Sequence, residues 1–159
     1  MESDVNYRSQ TYGIACALQR CGGCARPTPV VGLLLPRGHE TLEIDTDAQG
    51  VEVDVWEAAE AGAFVFFVEH LPEAVQRRLQ ELSQYYRRDG QSEQSYWLNH
   101  CSFCGMPQGD FELYCEPEGA FFPISERAAA SVQLQNVTEP FEAQAAGYAY
   151  APEFFAGVR

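Results

Sequence analysis

Trp97-Leu98-Asn99-His100-Cys101-Ser102-Phe103-Cys104-Gly105 carries two cysteines, with two residues between them, on a turn. A turn of that spacing can aim both sulfurs and nearby backbone N–H groups at one ion. The spacing occurs once before, in Cys21-Gly22-Gly23-Cys24. Gly22 and Gly23 free the first turn, and Gly105 follows the second where a left-handed backbone is often needed. Two such knuckles placed face to face complete a tetrahedral four-cysteine site, the geometry that zinc accepts in structural sites. Cys21, Cys24, Cys101 and Cys104 are therefore the candidate ligands, and Zn2+ the candidate ion. The knuckles are 76 residues apart, more than a simple ribbon needs. A long spacer is tolerable because the entropy of loop closure grows slowly with length.

The segments flanking the knuckles read as strands. Ile14, Cys16 and Leu18 alternate within residues 12–20, and residues 29–35 form an apolar run antiparallel to them. Residues 41–45 and 51–56 read as a hairpin, with residues 47–50 as its turn. The run AFVFFV at 63–68 suits a buried strand. Residues 72–86 form the one amphipathic helix, with Val75, Leu79, Leu82 and Tyr86 at helical spacing and Pro72 and Glu73 at its start. Arg87, Arg88 and Gly90 suit its far end, and residues 89–95 form a polar connection. Residues 96–99 and 111–115 read as short strands beside the second knuckle, and Val132 with Leu134 as one more. Residues 1–11 read as loose, and the tail from Phe141 as draped over the body. These elements predict an α+β fold. It is a zinc-ribbon-type pair of β-hairpins with a long β/α insertion at residues 36–95, all in one domain spanning 1–159.

Other chemistries meet obstacles. Cys21 and Cys24 could form a redox dithiol, but such motifs sit where a strand meets a helix N-terminus, and Arg26, Pro27 and Pro29 follow here. A zinc hydrolase needs three protein ligands and a water position. His100 is the one histidine near a knuckle, and in an extended segment it points away from Cys101. His39 and His70 lack partners at ligand spacing. Cys16 and Cys115 read as core residues. Asp45-x-Asp47-x-Gln49-Gly50 begins like a calcium loop, yet Trp56 stands where a bidentate Glu is required, so it reads as a hairpin turn. There is no nucleophile elbow, phosphate loop or dinucleotide fingerprint.

Composition bounds the rest. The net charge is −13, which opposes binding to a nucleic-acid backbone. Ten carboxylates and no arginine fall between residues 38 and 76, and Arg77, Arg78, Arg87 and Arg88 follow. All ten basic residues are arginine, the pattern of a GC-rich bacterial genome. No apolar stretch approaches the ~20 residues that span a bilayer. The start shows no signal-peptide pattern, so a cytoplasmic location is expected, where six cysteines favour metal over disulfides.

The stretch from Tyr96 to Gly105, continuing through Gln108-Gly109-Asp110-Phe111 to Glu116-Pro117 and Phe121-Phe122-Pro123, resembles uncharacterised bacterial four-cysteine zinc-ribbon-like proteins. That group also carries an earlier Cys-x-x-Cys, matched by Cys21 and Cys24. The resemblance covers 28 residues well and implies pairing of the knuckles without implying an activity. Trp97, Phe111 and Phe122 would form an apolar floor under the second knuckle, and Asp110 would accept backbone N–H groups. The expected function is a non-enzymatic zinc-binding protein whose acidic insertion contacts a basic protein, for example as an inhibitor or immunity protein. The alternatives are a dithiol oxidoreductase, a zinc hydrolase or a transcription accessory protein. Alternation in the acidic hairpin would turn Leu42, Ile44, Val51, Val53 and Val55 to the core. Most of Glu40, Glu43, Asp45, Asp47, Glu52 and Asp54 would then share one outer face.

Overall fold

Successive apolar residues that can bury side chains on both faces make good central strands, and the chain has two such runs. These are β3 (Pro27–Leu35) and β6 (Ala63–His70). The computed structural model describes residues 5–89 and 95–152, so most of the polar connection at 89–95 lies outside the described residues. Val31, Leu33, Leu35 and Val65 enter one core, whereas Val30, Leu34, Phe64 and Phe66 enter the other, on the opposite face.

Around this pair the remaining strands form one antiparallel sheet. They are β1 (Tyr7–Ser9), β2 (Tyr12–Arg20), β4 (Glu40–Thr46), β5 (Glu52–Ala58), β7 (Tyr86–Arg88), β8 (Trp97–His100), β9 (Pro107–Gln108), β10 (Gln133–Val137) and β11 (Phe141–Tyr150). The order along the sheet is β10-β2-β3-β6-β11-β1-β4-β5, with β8 pairing β6, β7 and β9. Helix α1 (Glu73–Leu82) sends Val75 and Leu79 into the first core. The short helices α2 (Asp110–Tyr114) and α3 (Glu126–Ala130) send Leu113, Tyr114 and Ala129 into the second.

The α+β zinc-ribbon expectation is thereby overturned. Strands make up 47% of the structure and helices 14%. The segment expected as an insertion supplies β6, the strand between β3 and β11. Both cysteine hairpins belong to the same sheet as that segment. Sequence spacing could not reveal this, because the pairing partners of a buried strand lie far away along the chain.

Smaller corrections have local causes. Helix α1 stops at Leu82 because Ser83 is extended (φ −155°, ψ 117°), and Tyr86 to Arg88 pair with β8 instead. Residues 110–114 are helical, with Asp110, Leu113 and Tyr114 buried on one side; five residues are too few to separate the two periods. The tail forms β11, pairing β6 and β1. Tyr7–Ser9 likewise join the sheet, so the described part of the N-terminal segment is not loose.

The acidic hairpin departs most. Its register sets Leu42 opposite Trp56 and Ile44 opposite Asp54, but Glu43 opposite Val55 and Asp45 opposite Val53. Cross-strand partners share a face, so Leu42 and Ile44 lie on one face and Val53 and Val55 on the other. The carboxylates divide in the same way and do not share one outer face. Leu42 N–H still donates to Asn6 O at 2.9 Å, and beyond it β4 pairs only with β5 among the described residues. Glu43 to Thr46 and Val51 to Asp54 are exposed, with Ile44 at 70%. The turn itself is as expected: Asp47 accepts the N–H groups of Gln49 and Val51, both at 2.9 Å.

Candidate metal centre

Each knuckle is the turn of a hairpin, which fixes where its sulfurs point. The β2–β3 ladder ends at Arg20 opposite Pro27, and the β8–β9 ladder at His100 opposite Pro107. Inside the first turn Cys21 N–H donates to Arg26 O and Ala25 N–H to Cys21 O, both 2.9 Å. Inside the second, Cys101 N–H donates to Met106 O and Gly105 N–H to Cys101 O, again both 2.9 Å. The residue after each second cysteine is left-handed, Ala25 at φ 63° and Gly105 at φ 78°. One backbone design thus occurs twice.

Side chains between β3 and β8 bring the turns together. Asn99, fully buried, accepts Val31 N–H and donates to Val31 O, each at 2.9 Å. Nearer the turns, Thr28 Oγ1 accepts Ser102 N–H at 3.0 Å. As a result Cys21 Sγ lies 3.6 Å from Cys104 Sγ, and Cys24 Sγ lies 3.7 Å from Cys101 Sγ. All four sulfurs are within 4.8 Å of one another and could hold a metal ion.

The surroundings suit thiolates. Gly23 N–H and Phe103 N–H point at Cys21 and Cys101 at 3.4 Å each. Gln108 Nε2 also donates to Cys21 at 3.4 Å. The Cys24 N–H, with help from Gln108 and Gly23, holds the Cys21 thiol down at about 6. Cys104 is pushed up to about 11: Met106 N–H lowers it, but the sulfurs of Cys21, Cys101 and Cys24 together with burial outweigh that. Four crowded thiols cannot all ionise without a cation among them, so the donor set fits a divalent metal.

The other sequence candidates lie elsewhere. His100 is buried, with Nδ1 3.1 Å from Tyr85 O. Cys16 packs against the first core and Cys115 against the second, and burial raises both thiols. Trp97 is buried in the first core, whereas Phe111 and Phe122 are 57% and 36% exposed, so the three do not form a floor under the knuckle. Asp110 is buried and accepts Phe67 N–H at 2.8 Å, where Phe67 is left-handed at φ 48°. Thr28, Asn99 and Gln108 escaped the sequence reading as supports, because a polar residue in a strand reads as an outward one.

Among the described residues no helix is long and apolar enough to cross a membrane. Comparison with protein-family models, curated proteins and solved structures finds no match, so the reading of the site rests on its geometry.

Proposed function

We propose that Cys21, Cys24, Cys101 and Cys104 hold a structural zinc ion, and that the chain is a non-enzymatic binding protein for a basic partner protein. One observation carries the zinc reading. A tetrahedron with Zn–S bonds of about 2.3 Å has edges of about 3.8 Å, and the two close sulfur pairs lie at 3.6 and 3.7 Å. Four thiolates close the coordination shell and leave no position for a water, which favours structure over hydrolysis. A dithiol oxidoreductase is disfavoured because strand β3, not a helix N-terminus, follows Cys24.

The partner reading rests on the β4–β5 ribbon. A two-stranded ribbon is marginal by itself, yet this one exposes Ile44, Val51 and Val53 among carboxylates. Its charge would speed encounter with a basic protein at low salt. Metal analysis of the purified protein should find one zinc per chain, lost on Cys101→Ser. A pull-down at low salt should capture a basic protein that high salt, or Glu52→Gln with Asp54→Asn, releases. Stoichiometric iron, or no metal, would sink the zinc reading; a partner indifferent to salt and to those substitutions would sink the partner reading.

A further inference from the structure

Where the ribbon joins the sheet, its residues and β11 enclose a cleft of about 470 Å3, within the ~300–1,000 Å3 of ligand clefts. Tyr7, Thr41 and Glu57 form one row across β1, β4 and β5. Glu43 lies two residues along the same face, its Oε1 accepting the Thr41 hydroxyl at 2.8 Å. Tyr148 and Tyr150 of β11 supply the opposite wall. The Tyr7 and Tyr148 rings stack at 5.2 Å, within 2° of parallel, and Tyr150 meets Tyr148 edge-on at 5.5 Å.

This aromatic wall is fixed from behind. His39 is 1% exposed, with Nδ1 2.7 Å from Pro36 O. A carbonyl can only accept, so Nδ1 carries the proton and Nε2 accepts the Tyr148 hydroxyl at 2.9 Å. Burial lowers the His39 pKa, which favours the neutral ring this arrangement needs. The Tyr148 hydroxyl is thus committed inward, and its ring is what the cleft receives. Glu57 and Glu60 complete the rim with Glu43. No basic side chain among the described residues lines the cleft. Among the described residues these three carboxylates make no ion pair.

We propose that this cleft seats an arginine side chain of the basic partner, a proposal that rests on the partner reading above. Tyrosine rings attract cations over their faces. A planar guanidinium can stack on a ring and also bond a carboxylate with its fork of N–H groups, which a lysine ammonium cannot match. The three carboxylates on its rim repel an anion.

The test titrates the zinc-loaded full chain with N-acetyl-arginine amide, N-acetyl-lysine amide and a hexa-arginine peptide, read by NMR shifts of the tyrosine rings. The arginine amide should shift Tyr7 and Tyr148, and the lysine amide should bind several-fold more weakly. Glu43→Gln with Glu57→Gln, or Tyr150→Ala, should weaken the arginine amide by about 10-fold. Glu52→Gln with Asp54→Asn removes equal charge from the other face of the ribbon and should change it by less than about 2-fold, since those charges are turned to solvent and screened. Equal weakening by both charge pairs, or equal binding of lysine and arginine amides, would overturn the proposal. Hexa-arginine binding without ring shifts from the arginine amide would overturn the cleft while leaving the basic-partner reading intact. Failure of hexa-arginine alone would overturn the basic-partner reading, and with it a protein as the source of the guanidinium.

Discussion

The knuckle at residues 21–26 closes a hairpin whose strands pair at eight positions, from Gly13 opposite Leu34 to Arg20 opposite Pro27. The knuckle at residues 101–106 closes one with two pairs, Asn99 opposite Gln108 and His100 opposite Pro107. Both turns make the same hydrogen bonds, yet one stands on a long ladder in mid-sheet and the other on a stub. The second leans instead on β7 and β6 beside β8, on Thr28 and Asn99 and, on the reading proposed above, on the metal. Repeated backbone geometry therefore does not imply equal stability, and the proposed metal would matter most to the knuckle with the shorter ladder.

Metal removal should separate the two most sharply. Zinc bound by thiolates stabilises the folded chain because the unfolded chain has no preformed site. Chelation, Cys21→Ser or Cys101→Ser should each cost at least ~5 kcal/mol, or roughly 10–20 °C in melting temperature. Hydrogen exchange in the metal-free protein should show Asn99, Cys101 and Gln108 amides losing protection well before those of Ile14 to Leu18. Equal loss in both hairpins would break the comparison.

The segment following the second knuckle has a support of its own. Asp110 is pushed up to about 7, chiefly by burial, against the lowering effect of Phe67 N–H. A carboxyl raised above its unfolded value of 3.8 favours the fold at low pH, and that advantage disappears as pH rises to about 7. Three units correspond to at most about 4 kcal/mol. Asp110→Asn keeps an oxygen acceptor for Phe67 and removes the charge. The difference in urea stability between wild type and Asp110→Asn should therefore move in favour of the variant between about pH 4 and pH 7, then level off. Asp110→Ala should instead lose ~1–3 kcal/mol by leaving the Phe67 N–H unsatisfied. A flat difference across that range would show that Asp110 is ionised at little cost.

The four cysteines were legible in the sequence because two residues of spacing is a local property that a turn converts directly into geometry. The strand positions of β2, β3 and β6 were legible for the same reason. What stayed hidden was pairing: residues 63–70 gave no sign of sitting between 27–35 and 141–150. The register of the ribbon was hidden too, since shifting one strand by a single residue exchanges its faces. Asp110 and Asn99 looked like turn and strand residues. Only their burial identifies them as side chains that satisfy the backbone of another strand.

The smallest effect concerns the left-handed residue of each knuckle, where the two sequences differ most plainly. Gly105 adopts φ 78° and Ala25 adopts φ 63°. A side chain in that region costs about 1–2 kcal/mol, whereas replacing glycine by alanine recovers about 0.4–1 kcal/mol from the less flexible unfolded chain. A Cβ at Gly105 would meet nothing within 4 Å, so no packing term intervenes. Gly105→Ala should therefore destabilise the zinc-loaded protein by ~0.5–1 kcal/mol, and Ala25→Gly should stabilise it by a similar or smaller amount. Urea titration of both variants measures the two changes, which carry opposite signs if backbone strain is the cause. The strain at Ala25 is tolerated because eight paired residues on each side hold the first turn closed. In the second turn, with two pairs beneath it, the same strain would fall on the stub, so Gly105→Ala should also speed zinc release to a chelator. Release from Gly105→Ala as slow as from wild type would mean that the short hairpin carries the strain as easily as the long one, and the contrast between the knuckles would rest on the metal alone.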